Sequence, residues 1–261
     1  MLLSSRRPVL LVIAHGSRDP RHAATVNALV ARVRSLRPGL RVETGFLDFN
    51  APAVPQVLER LASEGVEDVV ALPLLLTRAF HAKADIPAVL HEASARLPRL
   101  RIHQAEVLGP SPLLLGALER RLHEAGLTPG DKSSTGVVLA SAGSTDPEAI
   151  AVIAEIAREL RYTGWCAVRP AFASAVSAGG YPRTEDAVRS LRTAAGVRRV
   201  AVAPYVIAPG FLPDRIARGA GESGAEVLGE VLGASPELAR LLLTRYEEAR
   251  MPVRLAAAVS A

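Results

Sequence analysis

The sequence predicts an α/β protein of two tandem, homologous domains, each a parallel sheet of about four strands flanked by helices. Two observations carry this. Short apolar runs rich in Val, Leu and Ile alternate with stretches of helical period, the pattern of a parallel sheet with helices on both faces. The chain also repeats itself. Residues 10–20 (LLVIAHGSRDP) match 137–147 (VVLASAGSTDP), with Gly16, Ser17, Asp19 and Pro20 on Gly143, Ser144, Asp146 and Pro147. Residues 106–125 and 230–249 are identical at eleven of twenty positions, and 66–76 parallels 197–207 with Pro73 on Pro204. The spacing between partners drifts by a few residues, so insertions fall in loops. This is a duplicated domain, not a short-period solenoid.

In the first copy the strands fall at about 8–14, 40–47, 67–74 and 101–107, and the helices at about 21–36, 52–64, 83–97 and 111–125. Each apolar run is short, closes on a Gly, Pro or Asp turn, and hands over to a helical stretch. The second copy repeats this rhythm from about residue 136. The domains are therefore 1–126, carrying the candidate site, and 136–250, a degenerate repeat. The linker Gly126–Ser134 is rich in turn residues, and 251–261 reads as a loose tail. Such domains are Rossmann-like, and their ligands sit beyond the carboxyl ends of the strands, near the switch in strand order. His15 follows the first strand, Asp48 the second, and His81 lies in the loop after the third. With strand order 2-1-3-4, His15 and His81 flank the switch point.

Composition narrows the function. The chain has 261 residues, is 49% hydrophobic and 22% charged, and so builds a packed core rather than a disordered chain. Aromatics make up only 4%, which leaves the core to Leu, Val, Ile and Ala. The single cysteine, Cys166, excludes an intramolecular disulfide or a Cys-rich metal site and fits a reducing compartment. The net charge of +5 suits an anionic partner. Only two of the 31 basic residues are lysines, Lys83 and Lys132, and the arginines are scattered without basic runs or interleaved aromatics, which speaks against nucleic acid. No apolar stretch is long enough to span a bilayer. Ser5-Arg6-Arg7 superficially resembles a twin-arginine export signal, but the apolar run after it is short, has a counterpart deeper in the chain, and is followed by no small-residue cleavage site. It reads as the first strand, and the protein as cytoplasmic.

All six histidines lie in the first copy: His15, His22, His81, His91, His103 and His123. His15 aligns with Ala142, His81 with Leu212 and Asp48 with Ser174. Three polar groups at one sheet edge are thus all replaced in the second copy, which points to one active site per chain, in the first half. Two imidazoles and a carboxylate suit a divalent first-row metal. Three protein ligands leave coordination positions open, as a metal that must be passed on requires. The plain alternative is a strand-end histidine bonded to a loop carbonyl. His91 and His123 read as solvated helix positions, His103 as a strand residue and His22 as part of a first helical turn. There is no G-x-S-x-G and no P-loop. Gly219, Gly221 and Gly224 form a G-x-G-x-x-G that neither follows a strand nor opens a helix. Gly143-Ser144-Thr145-Asp146 reads as a tight turn with Asp146 or Ser144 capping a helix.

Three segments resemble the class II tetrapyrrole chelatases. Ala14-His15-Gly16-Ser17 is similar to their A-H-G-S opening. Phe46-Leu47-Asp48-Phe49-Asn50-Ala51-Pro52 is similar to their F-L-[ED]-x-x-x-P segment. Pro73–Leu76 with His81-Ala82-Lys83-Ala84-Asp85-Ile86-Pro87 is similar to P-L-x-L…H-x-x-x-D-[IL]-P. The resemblance covers the first half, and the second half resembles the degenerate copy of the long, fused sirohydrochlorin chelatases, which insert iron on the route to sirohaem or cobalt on the route to cobalamin. It implies the class II chelatase fold, with His15 and His81 as a metal-binding pair that also takes pyrrole protons. Asp48 stands where many members have Glu, one methylene longer, and is the implied third ligand. Arg18, Arg78 and Lys83, with the backbone amides at Gly16 and Ser17, are the implied rim for an acidic macrocycle. No organic cofactor is implied: sirohydrochlorin is the substrate and Fe²⁺ or Co²⁺ the co-substrate, with iron slightly favoured because no His-rich tail is present. The expected state is a monomer with pseudo-two-fold halves. The competing readings are a non-catalytic metal or tetrapyrrole carrier, a chelatase for nickel or another tetrapyrrole, and an α/β ligand-binding domain with incidental histidines.

Overall fold

The computed structural model describes residues 7–78, 84–174 and 180–259, with the backbone alone from 251 onward. The first sheet contains β1 (Val9–Ala14), β2 (Val42–Phe46), β3 (Asp68–Pro73) and β4 (Arg101–Gln104), all parallel in the order β2-β1-β3-β4. The second contains β5 (Thr135–Ser141), β6 (Ala167–Phe172), β7 (Arg199–Tyr205) and β8 (Val227–Leu228), parallel in the order β6-β5-β7-β8. The 2-1-3-4 order that puts the first and third strands side by side is thus present in both copies. The central strands β1 and β5 are buried along their whole length. A parallel strand covered on both faces has no solvated side to alternate toward, which is why β1 reads as a continuous apolar run and β5 as one through Val137–Ala140.

The helices are α1 (Pro20–Leu36), α2 (Val54–Ser63), α3 (Ile86–Arg96), α4 (Pro112–Glu124), α5 (Pro147–Tyr162), α6 (Thr184–Arg192), α7 (Phe211–Glu222) and α8 (Pro236–Val259). Local chemistry sets their starts. Proline stands in the first turn of α1 through α5, where its missing N–H costs no intrahelical bond. The Asp19 and Asp146 side chains accept the N–H of Arg21 (2.9 Å) and Glu148 (3.0 Å), so Asp146 caps α5 as expected. The expected linker tightens into a 3-10 turn over Pro129–Ser134, with Asp131 Oδ2 accepting the Thr128 N–H at 2.8 Å. Gly219 and Gly221 lie in the last turns of α7 and Gly224 just beyond it, away from any strand-to-helix turn.

The chain divides into two compact units, residues 1–109 with 239–261, and residues 110–238. In the first unit Val9, Leu11 and Ile13 of β1 pack with Val54, Val57, Leu58 and Leu61 of α2 and with Ile86 and Leu90 of α3. In the second, Val138 and Ala140 of β5 pack with Val188 and Leu191 of α6 and with Ile216 of α7. Both edge strands of the first sheet carry charge: Glu43 on β2 bridges Arg41 (2.9 Å) and Arg60 (3.0 Å), and Arg101 on β4 holds Asp68 (2.6 Å). Charged edge strands resist pairing with another chain.

The repeat in sequence and the compact unit in space are not the same division. α4, in the first copy by sequence, packs on β7 of the second unit. The C-terminal part of α8, in the second copy by sequence, belongs to the first unit. There the Tyr246 hydroxyl donates to the Pro8 carbonyl at 2.7 Å, and the Arg245 guanidinium donates to the carbonyls of Val107 (2.9 Å) and Leu108 (3.1 Å). Each copy lends its last helix to the other copy's unit. The expected loose tail is a correction: α8 continues to Val259. Residues 253–259 are Val, Arg, Leu and Ala with no glycine, and Leu, Arg and Ala are strong helix formers, so nothing local halts the helix.

Candidate metal site at the edge of the first sheet

His15 is the first residue beyond β1 and is half-buried. Asp48 follows β2 by two residues and is exposed. The two loops are stitched together through their backbones. Leu47 donates its N–H to the Ala14 carbonyl (3.0 Å) and Asp48 donates to the His15 carbonyl (2.9 Å), which prolongs the β1–β2 pairing past the ends of the strands. The Asn50 carboxamide oxygen accepts the Ser17 N–H at 2.8 Å. The Ser17 hydroxyl accepts the Asp19 N–H at 3.1 Å. The Ser17 amide, expected to face the ligand, is therefore engaged by Asn50. The turn closes tightly because Gly16 adopts φ +96°, and a Cβ there would lie 1.9 Å from the Asp48 carbonyl oxygen.

Of the other expected rim residues, Arg18 is exposed and its guanidinium lies 5.2 Å from the centre of the Phe49 ring. Arg78 is exposed and ion-paired, its Nε donating to Glu106 Oε2 at 3.0 Å. His81 and Lys83 lie outside the described residues. Among the described residues no three His, Cys, Asp or Glu side chains form a group able to hold a metal ion. The expected set has His81 as its third member, so only two of the three lie among the described residues.

Three neighbours were given no functional role from the sequence. Phe49 stacks beside His15, with ring centres 6.3 Å apart and planes 29° from parallel. Asn50 supplies the clamp described above. His22 sits in the first turn of α1. Burial first, and then the nearby His15, hold its imidazole below the ordinary histidine range. Its Nδ1 is buried and meets no hydrogen-bond partner among the described residues. Asn50 and Phe49 lie inside the Phe46–Pro52 segment, so the motif marked the loop without showing which side chains would work there.

The second unit shows the same backbone without the same side chains. Ala173 donates to the Ser141 carbonyl (2.9 Å) and Ser174 to the Ala142 carbonyl (3.0 Å), the counterparts of the bonds from Leu47 and Asp48. Phe172 donates to the Pro182 carbonyl as Phe46 does to that of Pro52, so the extra residues of the second copy fall between Phe172 and Pro182. Gly143 has φ +101°, and Ser144 caps the Asp146 N–H at 3.0 Å as Ser17 does that of Asp19. The alignment of His15 with Ala142 and of Asp48 with Ser174 is thus one of equivalent hydrogen bonds.

A family model described as CbiX matches residues 9–125 and again residues 136–249. The chain belongs to the CbiX family. Among its CbiX relatives, a protein named sirohydrochlorin cobaltochelatase from Priestia megaterium is 30% identical over 79% of this chain and 66% of that relative, so the chain spans just under two thirds of its length. A sirohydrochlorin ferrochelatase from Bacillus subtilis is 25% identical over 93% of this chain and 92% of that protein. Among solved structures, SirB from Bacillus subtilis with Fe³⁺ superposes with a TM-score of 0.82 at 24% identity, covering 95% of this chain and 98% of that one. That likeness establishes the fold.

Proposed function

We propose that this CbiX-family protein is a metal chelatase that inserts a divalent metal, Fe²⁺ or Co²⁺, into sirohydrochlorin. The observation that carries the reading is the contrast between equivalent turns. The first keeps His15 and Asp48 at the sheet edge, and the second keeps the hydrogen bonds but has Ala142 and Ser174. A scaffold retained while its ligating side chains are lost supports chemistry in one copy only. The names of the relatives support the substrate and both metals.

Insertion exchanges two pyrrole N–H protons for a metal ion, so it needs a weakly held metal and a nearby base. His15, on a short turn closed by Gly16, presents an imidazole, a group able to ligate a metal or to act as a base. His81 is the proposed second imidazole and Asp48 the proposed third ligand. Asp48 Oδ1 accepts the Phe49 N–H at 2.8 Å, which orients the carboxylate. Arg18, Arg78 and Lys83, with the Gly16–Ser17 turn, are the proposed anchors for the substrate's carboxylates. Arg78 would trade Glu106 for a substrate carboxylate, an exchange open to an exposed ion pair of small net worth. A monomer acting in the cytoplasm is the proposed working form.

The test is an anaerobic absorbance assay of the purified protein with sirohydrochlorin and, in parallel, Fe²⁺, Co²⁺, Ni²⁺ or no metal. The His15→Ala/His81→Ala double variant serves as control. Insertion above the spontaneous rate, lost in the control, is expected, and the relative rates rank the metals. Binding of the pigment without acceleration by any metal would instead make the protein a carrier.

A further inference from the structure

Phe49 is the single residue other than glycine with positive φ among the described residues, at +60°. The Asn50 N–H donates to the Asp48 carbonyl across it at 2.7 Å, the i to i+2 bond of a γ-turn. A γ-turn centred on a residue with positive φ is rare and strained, and strain of this kind persists where the surroundings over-determine it, above all at ligand sites. Glycine would occupy the position without cost. The turn instead carries a phenyl ring and leaves it 51% exposed. Burial of the side chain therefore does not account for the residue.

The ring's neighbours suggest what does. On one side it stacks beside His15, and the Arg18 guanidinium lies 5.2 Å from its centre. The Asp48 N–H donates to the His15 carbonyl and the Asn50 carboxamide oxygen accepts the Ser17 N–H, so both ends of the turn are tied to the loop that carries His15. The result is an aromatic plate, fixed at its backbone, next to the candidate metal ligand and with the Arg18 guanidinium over its ring. A flat, conjugated, anionic molecule fits those features: its face stacks on the ring while a carboxylate meets Arg18.

We infer that Phe49 is a substrate-binding residue, a platform on which the face of the tetrapyrrole rests beside His15. This rests on the chelatase reading and adds to it a residue that sets where the macrocycle lies relative to the metal. Stacking on an aromatic side chain is sequence- and substituent-tolerant, and removal of one such platform weakens binding of a planar ring by about tenfold or more.

The experiment titrates full-length wild type and the variants Phe49→Ala, Phe49→Gly and Phe49→Tyr with metal-free sirohydrochlorin, followed by absorbance. Separate titrations use Co²⁺ alone, and thermal melts report folding. Phe49→Ala and Phe49→Gly are expected to lose about tenfold in pigment affinity with Co²⁺ affinity unchanged, while Phe49→Tyr keeps both. Phe49→Gly, which relaxes the turn, is expected to melt no lower than wild type, so its loss of binding cannot be a loss of fold. Pigment affinity equal to wild type in Phe49→Ala overturns the inference. A parallel loss of Co²⁺ affinity also overturns it, since the ring would then act by positioning His15. Failure of the wild type itself to bind the pigment would overturn the chelatase reading beneath it.

Discussion

Gly16 holds φ +96° with its Cα so close to the neighbouring loop that a Cβ would lie 1.9 Å from the Asp48 carbonyl oxygen. Gly16→Ala must both strain the turn and push the β2 loop away. It is expected to cost about 2 kcal/mol or more in a denaturant melt and to weaken Co²⁺ binding, because His15 and Asp48 move apart. Asp48→Asn asks a different question. The amide oxygen can still accept the Phe49 N–H, so the turn survives and only the charge is lost. Insertion should slow more than pigment binding weakens, and steady-state kinetics beside a pigment titration would show it; an effect confined to pigment affinity would place Asp48 on the rim instead. His81→Ala should abolish insertion and leave the melting temperature unchanged, and unfolding of this variant would count against a catalytic role. At this level the sequence made His15 and Asp48 legible, because a motif and its loss in the second copy coincide there. His22 was legible only as part of a first helical turn, and Phe49 and Asn50 only as loop residues: their contacts depend on a neighbouring loop that periodicity and spacing do not describe.

The helix α8 shows how a few polar contacts hold a long element. Tyr246 is fully buried, and its hydroxyl satisfies the Pro8 carbonyl ahead of β1. Tyr246→Phe keeps the ring and orphans that carbonyl, so a loss of about 1 kcal/mol is expected in urea melts, without change in the pigment assay. At the next residue, Glu247 accepts from Arg37 at 2.8 Å, at the C-terminal end of α1, and is also paired with Arg250. Burial alone would raise this carboxyl, but the bonds from Arg37 and Arg250 outweigh it and hold it below its ordinary value of 4.5. A carboxylate depressed in the folded state contributes stability above the unfolded value and loses it as pH falls through the folded one. Wild type should therefore lose more melting temperature than Glu247→Gln on acidification below about pH 4.5. Equal acid sensitivity would remove the pair from the account of how α8 is held.

For the molecule as a whole, the duplicated sequence and the compact unit divide the chain differently. A chain ending at residue 126 keeps all of β1–β4 and α1–α4. It lacks the part of α8 that supplies Tyr246, Arg245 and Glu247 to the first unit, and it carries α4, which packs in the second. Such a fragment is expected to show no sharp cooperative transition in a circular-dichroism melt, although it holds every candidate ligand. A transition as steep as that of the full chain would show the exchanged helix to be dispensable.

The sequence by itself determined the class of fold and the duplication, and it marked the copy that keeps the candidate ligands. These follow from patterns carried within each segment: apolar period, turn residues, and the pairing of one copy with the other. Only the tertiary structure decided that α8 runs on through the expected tail and serves the first unit, that the Ser17 amide is taken by Asn50, and that an exposed phenyl ring stands beside His15. Each of these is a contact between residues far apart in the chain. A helix's local pattern says that it will form and which stripe it will bury, but every parallel sheet offers the same kind of apolar face. Which sheet receives the helix is settled by particular partners, here the carbonyls of Pro8, Val107 and Leu108.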